Sequence, residues 1–131
     1  MTSLANLLWA LRWRSRRERF AALQRDFEAQ RHEKVPAAAQ PFLRSRRHRW
    51  DAGSMAIVSL AHLGRDGEAR QLLARLERLP EAQPAALDYL AACIAASRGD
   101  HSEASRLLGT AIDEQKEAAR RARRGPGDGY T

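Results

Sequence analysis

The chain has 131 residues, with 23 basic and 16 acidic side chains and a net charge of +7. This length suits one domain with one core, and the single cysteine, Cys93, excludes an internal disulfide framework. Arginine supplies 21 of the basic residues, and its planar fork suits carboxylates, phosphates and aromatic faces.

The charge is unevenly spread. Residues 1–50 carry a net +8, residues 51–117 a net −4 and residues 118–131 a net +3, so the basicity belongs to the flanks. In the first segment, residues 1–34, Leu4, Leu7, Leu8 and Leu11 form a short helical face, and Trp9, Trp13, Phe20, Leu23 and Phe27 form a longer apolar stripe. Arg12, Arg14, Arg16, Arg17 and Arg19 fill the space between. The pattern predicts a basic amphipathic helix over residues 3–31, with Ser3 as its N-cap. It is too interrupted to span a bilayer, which takes about 20 mostly apolar residues. Its charge also follows the apolar patch, whereas a secretory signal puts charge first. Four roles fit it: packing on the rest of the chain, lying on an anionic membrane surface, docking on a partner helix, or acting as a mitochondrial transit peptide.

Residues 35–50 are rich in proline and arginine. Pro36 and Pro41 break or restart helices, which predicts a linker or a short helix. Arg44, Arg46, Arg47 and Arg49, flanked by Phe42 and Trp50, have the composition of a nucleic-acid patch. The same run also describes a solvated face or a surface for an acidic partner. With Arg12, Arg14, Arg16 and Arg17 it makes the candidate basic patch.

Residues 51–124 are organised by a text written twice, 35 residues apart. Gly64, Glu68, Ala69, Leu72 and Leu73 recur as Gly99, Glu103, Ala104, Leu107 and Leu108, and Ala56 and Ala61 recur as Ala91 and Ala96. Such a period signals stacked helical hairpins. Gly64 and Gly99 can adopt the left-handed conformation that ends a helix. Asp66 and Asp100 are N-cap candidates, with Glu103 in capping-box spacing from Asp100. Beyond each turn, Ala69, Leu72, Leu73 and Leu76, and Ala104, Leu107, Leu108, Ala111 and Ile112, form an apolar stripe expected to be buried. The last helix is expected to run to about Arg124, where Gly125-Pro126 stops it, leaving residues 125–131 as a flexible tail.

Ala56, Gly64, Glu68, Ala69, Leu73 and Pro80 in one copy, and Ala91, Gly99, Asp100, Glu103, Ala104, Leu108 and Ala111 in the other, resemble the tetratricopeptide repeat family. The resemblance covers about half the chain and implies two divergent repeats, 51–80 and 84–115. It also implies an all-α fold: antiparallel hairpins in a short solenoid, preceded by the amphipathic N-terminal helix. In that family the first helices line a concave groove, which here places Ser54, Val58 and His62 beside Tyr89, Cys93 and Ser97. The basic clamp of chaperone-binding members is missing at these positions, so the groove is expected to take an apolar or helical segment, with Tyr89 as anchor. Pentatricopeptide repeats share the period, but the position corresponding to their base-reading residue falls near Met55 and Leu90, both apolar.

Catalytic, metal and cofactor sites are not expected. His32, His48, His62 and His101 show no zinc-ligand spacing with Cys93, and Cys93 in its alanine-rich helix reads as a structural thiol. The expectation is a non-enzymatic, cytoplasmic adaptor or scaffold that binds a partner protein, with oligomerisation left open. The alternative is a peripheral protein of anionic membranes, or a nucleic-acid binder, using its basic arms.

Overall fold

The computed structural model describes residues 4–124, apart from the side chains of residues 9–14. The expected Ser3 cap, the 125–131 tail and the Arg12 and Arg14 side chains lie outside what it describes. The described chain is all-helical, with α1 at Leu4–Glu28, α2 at Val35–Ala39, α3 at Arg49–His62, α4 at Asp66–Glu77, α5 at Pro84–Ser97 and α6 at His101–Arg124. A single 3-10 turn, Gln40–Phe42, follows α2.

Three helices, α3, α5 and α1, end in one way. Gly64 and Gly99 have φ of 74° and 79°. In both, the glycine N–H donates to a carbonyl three residues back (Ala61, Ala96; 3.0 Å each), and the next N–H reaches five back (Leu60, Ala95; 2.9 Å each). This double closure satisfies carbonyls that the helix end leaves open. α1 ends identically but without glycine: Gln30 sits at φ 59°, its N–H donates to Phe27 O at 3.0 Å, and Arg31 N–H donates to Asp26 O at 2.8 Å.

The segment over residues 35–50 forms a short helix that contributes to the core. Pro36 lies in the first turn of α2, where its missing N–H costs nothing, and Val35, Ala39, Phe42 and Leu43 are buried. α3 is the central helix and packs on α2, α4 and α5, while α5 also packs on α4 and α6. Small residues allow this closeness. An added Cβ at Gly53 of α3 would stand 2.7 Å from Leu76 Cδ2 of α4.

Two expectations about the repeated segment are corrected. Asp66 is not an N-cap: it lies inside the first turn of α4, and Arg65 precedes it with no side-chain cap bond. Asp66 instead accepts a hydrogen bond from Ser97 Oγ at 3.1 Å, whereas Asp100 does cap α6, accepting from Glu103 N–H at 3.1 Å. The stripe on α6 is only partly covered, because α6 packs chiefly on α5. Ala104 and Ala111 are buried, but Leu108 and Ile112 are 40% and 51% exposed.

Candidate functional site: a groove walled by α1, α3 and α5

The last turns of α1 stand away from α5, and between them α3 forms the floor of a groove of about 490 Å³. α1 contributes Gln24, Phe27 and Glu28, α3 contributes Trp50, Ser54, Met55 and Val58, and α5 contributes Ala86, Tyr89 and Leu90. The three walls are held by packing beneath them: Leu23 and Ile57 are fully buried and Leu90 nearly so. Tyr89 keeps half of its surface open. Ser54 Oγ is buried without a hydrogen-bond partner, a position that costs free energy until something donates to it or accepts from it.

Of the six groove residues expected from the sequence, the fold brings Ser54, Val58 and Tyr89 to this groove and leaves the other three outside its lining. His62 lies beyond one end, stacked on His32 with ring centroids 4.2 Å apart. His32 Nδ1 in turn shares a 2.9 Å hydrogen bond with the fully buried Ser59 Oγ. Burial first, then the neighbouring His62, lowers the His32 pKa. Ser97 is committed to Ile94 O and Asp66, tying α5 to α4. Cys93 packs against the core one turn behind Tyr89. Burial raises its pKa, with the Tyr89 hydroxyl opposing, so its thiol holds its proton. The sequence reading includes packing of the α1 stripe, with Phe27, on the rest of the chain, which the buried Leu23 and the packed Phe20 and Phe27 agree with, but it does not put Phe27 or Trp50 among the groove residues.

A second cavity, about 610 Å³, lies nearer the N-terminus along the same face of α1, shares Gln24 with the groove, and gathers basic residues from two separate elements. Arg16 and Arg17 come from α1, and Ser45, Arg47 and His48 from the connection before α3. An aromatic cluster joins the two. Phe20 stacks on His48 at 4.1 Å and meets Phe42 edge-on at 5.1 Å, while the Arg16 guanidinium lies 5.9 Å from the centre of the Phe42 ring. The His48 pKa is lowered by burial and then by the Arg47 and Arg16 charges, with Asp51 opposing. Arg49 does not belong to this group. It makes a bidentate pair with Glu81, both bonds at 2.7 Å, which holds the Glu81 pKa at about 2. Arg44 and Arg46 are exposed.

Among the described residues, no group of three or more His, Cys, Asp or Glu side chains could hold a metal ion, and no helix is long and apolar enough to cross a membrane. Compared with protein-family models, curated proteins and solved structures, the chain matches none of them, so its reading rests on its own residues.

Proposed function

We propose that the chain is a non-enzymatic, cytoplasmic adaptor of tetratricopeptide-like architecture, holding an apolar helical segment of a partner protein in the groove between α1, α3 and α5. The observation that carries this reading is the groove itself. Phe27, Trp50, Met55, Val58 and Tyr89 line it from three helices, and aromatic and large apolar side chains of this kind supply most of the free energy at protein interfaces. Its length along α3, from Trp50 to Val58, matches about two turns of a docked helix. The repeated glycine closures at an offset of 35 residues support the two-repeat reading, and the protonated Cys93 thiol speaks against a nucleophile.

The experiment is crosslinking of the full chain to its partner in the native cell, comparing Tyr89→Ala with the unsubstituted protein and following both by thermal melts. Loss of capture with an unchanged melt supports the groove. A melt lowered in parallel with capture makes Tyr89 a core residue and removes this reading.

A further inference from the structure

The first turns of α1 carry apolar side chains that nothing in the described chain covers. Leu4, Leu7 and Leu8 are 72%, 53% and 49% exposed, and the stretch from Leu4 to Leu11 contains no charged residue. These leucines do not continue the face that meets the core. From Leu8 to Phe20 the helix turns by about 120° away from a common line, so the leucine row and the Phe20, Leu23, Phe27 row lie on different sides of α1. Arg12 and Arg14 follow the apolar stretch, and beyond them comes the arginine cavity, with Arg16 and Arg17 on α1 and Arg47 brought alongside by the Phe20, Phe42 and His48 cluster. Among the described residues none of these three arginines takes part in an ion pair, in contrast to Arg49, Arg65, Arg98 and Arg106.

We infer that the N-terminal end of α1 enters one leaflet of an anionic bilayer, and that Arg16, Arg17 and Arg47 form a collar that binds lipid phosphates at its surface. The dimensions agree. From Leu4 to Leu11 the helix rises about 10 Å, within the roughly 15 Å of one hydrocarbon leaflet, and Arg12 and Arg14 follow before the collar. Leucines exposed next to cationic side chains are the two contributions that interfacial anchoring combines, apolar burial and attraction to anionic headgroups. A guanidinium also binds phosphate oxygens bidentately, and three of them around one cavity with the Ser45 hydroxyl can hold a headgroup phosphate from several sides. A nucleic acid would use the arginines but leave the leucines in water.

The test is sedimentation of the full chain with vesicles of phosphatidylcholine alone and of phosphatidylcholine mixed with phosphatidylglycerol, beside titration of a short duplex and a short RNA in the same buffer. Two variants are compared, Leu7→Asp with Leu8→Asp, and Arg16→Gln with Arg17→Gln and Arg47→Gln. All five positions are exposed, so melts should match the unsubstituted chain. If the triple substitution lowers the melt, Arg17→Gln with Arg47→Gln keeps the Arg16–Phe42 contact and serves in its place. Binding is expected on the mixed vesicles and much less on phosphatidylcholine alone. Each arginine contributes about fivefold, so the triple variant should bind on the order of 100-fold more weakly and the double about 25-fold. The leucine variant should lose at least as much as the triple, and Tyr89→Ala should leave vesicle binding unchanged. Undiminished binding by the leucine variant, equal binding to both vesicles, or tighter binding to duplex or RNA than to the mixed vesicles would each overturn the inference.

Discussion

The closest approach between α3 and α4 can be tested at Gly53. A methyl group there would stand 2.7 Å from Leu76 Cδ2, 3.1 Å from Cδ1 and 3.3 Å from Cγ, and Leu76 is only 3% exposed, so it cannot swing into solvent. Two effects oppose each other. Alanine is favoured over glycine inside a helix by up to about 1 kcal/mol, while forcing a methyl into a filled core costs about 1–3 kcal/mol. Gly53→Ala should therefore destabilise by about 0–2 kcal/mol instead of stabilising. Leu76→Ala alone should cost about 2–5 kcal/mol, because it leaves a cavity. In the double variant the new methyl occupies part of that cavity, so its cost should fall short of the sum by about 1–2 kcal/mol. Urea melts of the four proteins, followed by circular dichroism, measure all the quantities required. Stabilisation by Gly53→Ala with a strictly additive double variant would refute the close contact.

Three further predictions concern coverage, turns and titration. Leu72→Ala on α4, where the side chain is 8% exposed, should cost about 2–5 kcal/mol, whereas Leu108→Ala on the open face of α6 should cost under about 1 kcal/mol; urea melts giving equal losses would mean that α6 is covered. Gly99→Ala meets no atom within 4 Å of the new methyl, so its loss, about 1–2 kcal/mol in the same melts, measures the left-handed backbone alone, and Gln30→Gly at φ 59° should gain about 0.5–1 kcal/mol for the converse reason. Glu114 of α6 has its pKa raised, chiefly by burial and then by a hydrogen bond and the charge of Asp88 on α5, and its Oε2 is buried without a partner. Between its ordinary 4.5 and that raised value the folded state holds more protons than the unfolded one, so stability falls as pH rises through this window. Glu114→Gln should flatten that fall in a series of thermal melts across pH, and an unchanged slope would contradict it.

What the sequence made legible follows from how local each signal is. Gly64 and Gly99 announced their turns because a left-handed residue is nearly a glycine privilege; Gln30 makes the same closure and gave no such notice. The Asp66 cap failed for a reason the repeat itself contained. At the 35-residue offset the partner of Asp100 is Arg65, not Asp66, and Arg65 is where α4 begins without a side-chain cap. The burial of Leu108 was misjudged because periodicity reveals an apolar face but not whether another helix arrives to cover it. The groove was half legible on similar grounds. Spacing within α3 and α5 put Ser54, Val58 and Tyr89 on usable faces, but the wall formed by Phe27 depends on tertiary placement of α1 beside the groove. Local hydrogen bonding and stacking had already engaged Ser97 and His62 elsewhere.

The two proposed surfaces share α1 without competing for it. The C-terminal half of α1 is anchored by the fully buried Leu23 and by Phe20 and Phe27, so withdrawing Leu4, Leu7 and Leu8 into lipid would break none of the packing that shapes the groove. Charge contributes to the orientation. Residues 1–50 carry a net +8 and residues 51–117 a net −4, so an anionic surface attracts the arginine collar and repels residues 51–117, while Arg120, Arg121, Arg123 and Arg124 at the end of α6 are drawn to it. Glu28 and Asp51 line the groove and add to that repulsion. The groove lies further along α1 than the collar, with Gln24 common to both, so a chain bound through the first turns of α1 would hold it away from the surface, where a partner segment can reach Tyr89. Raising the salt should loosen this orientation before it empties the groove, because screening weakens exposed charges far more than buried apolar contacts.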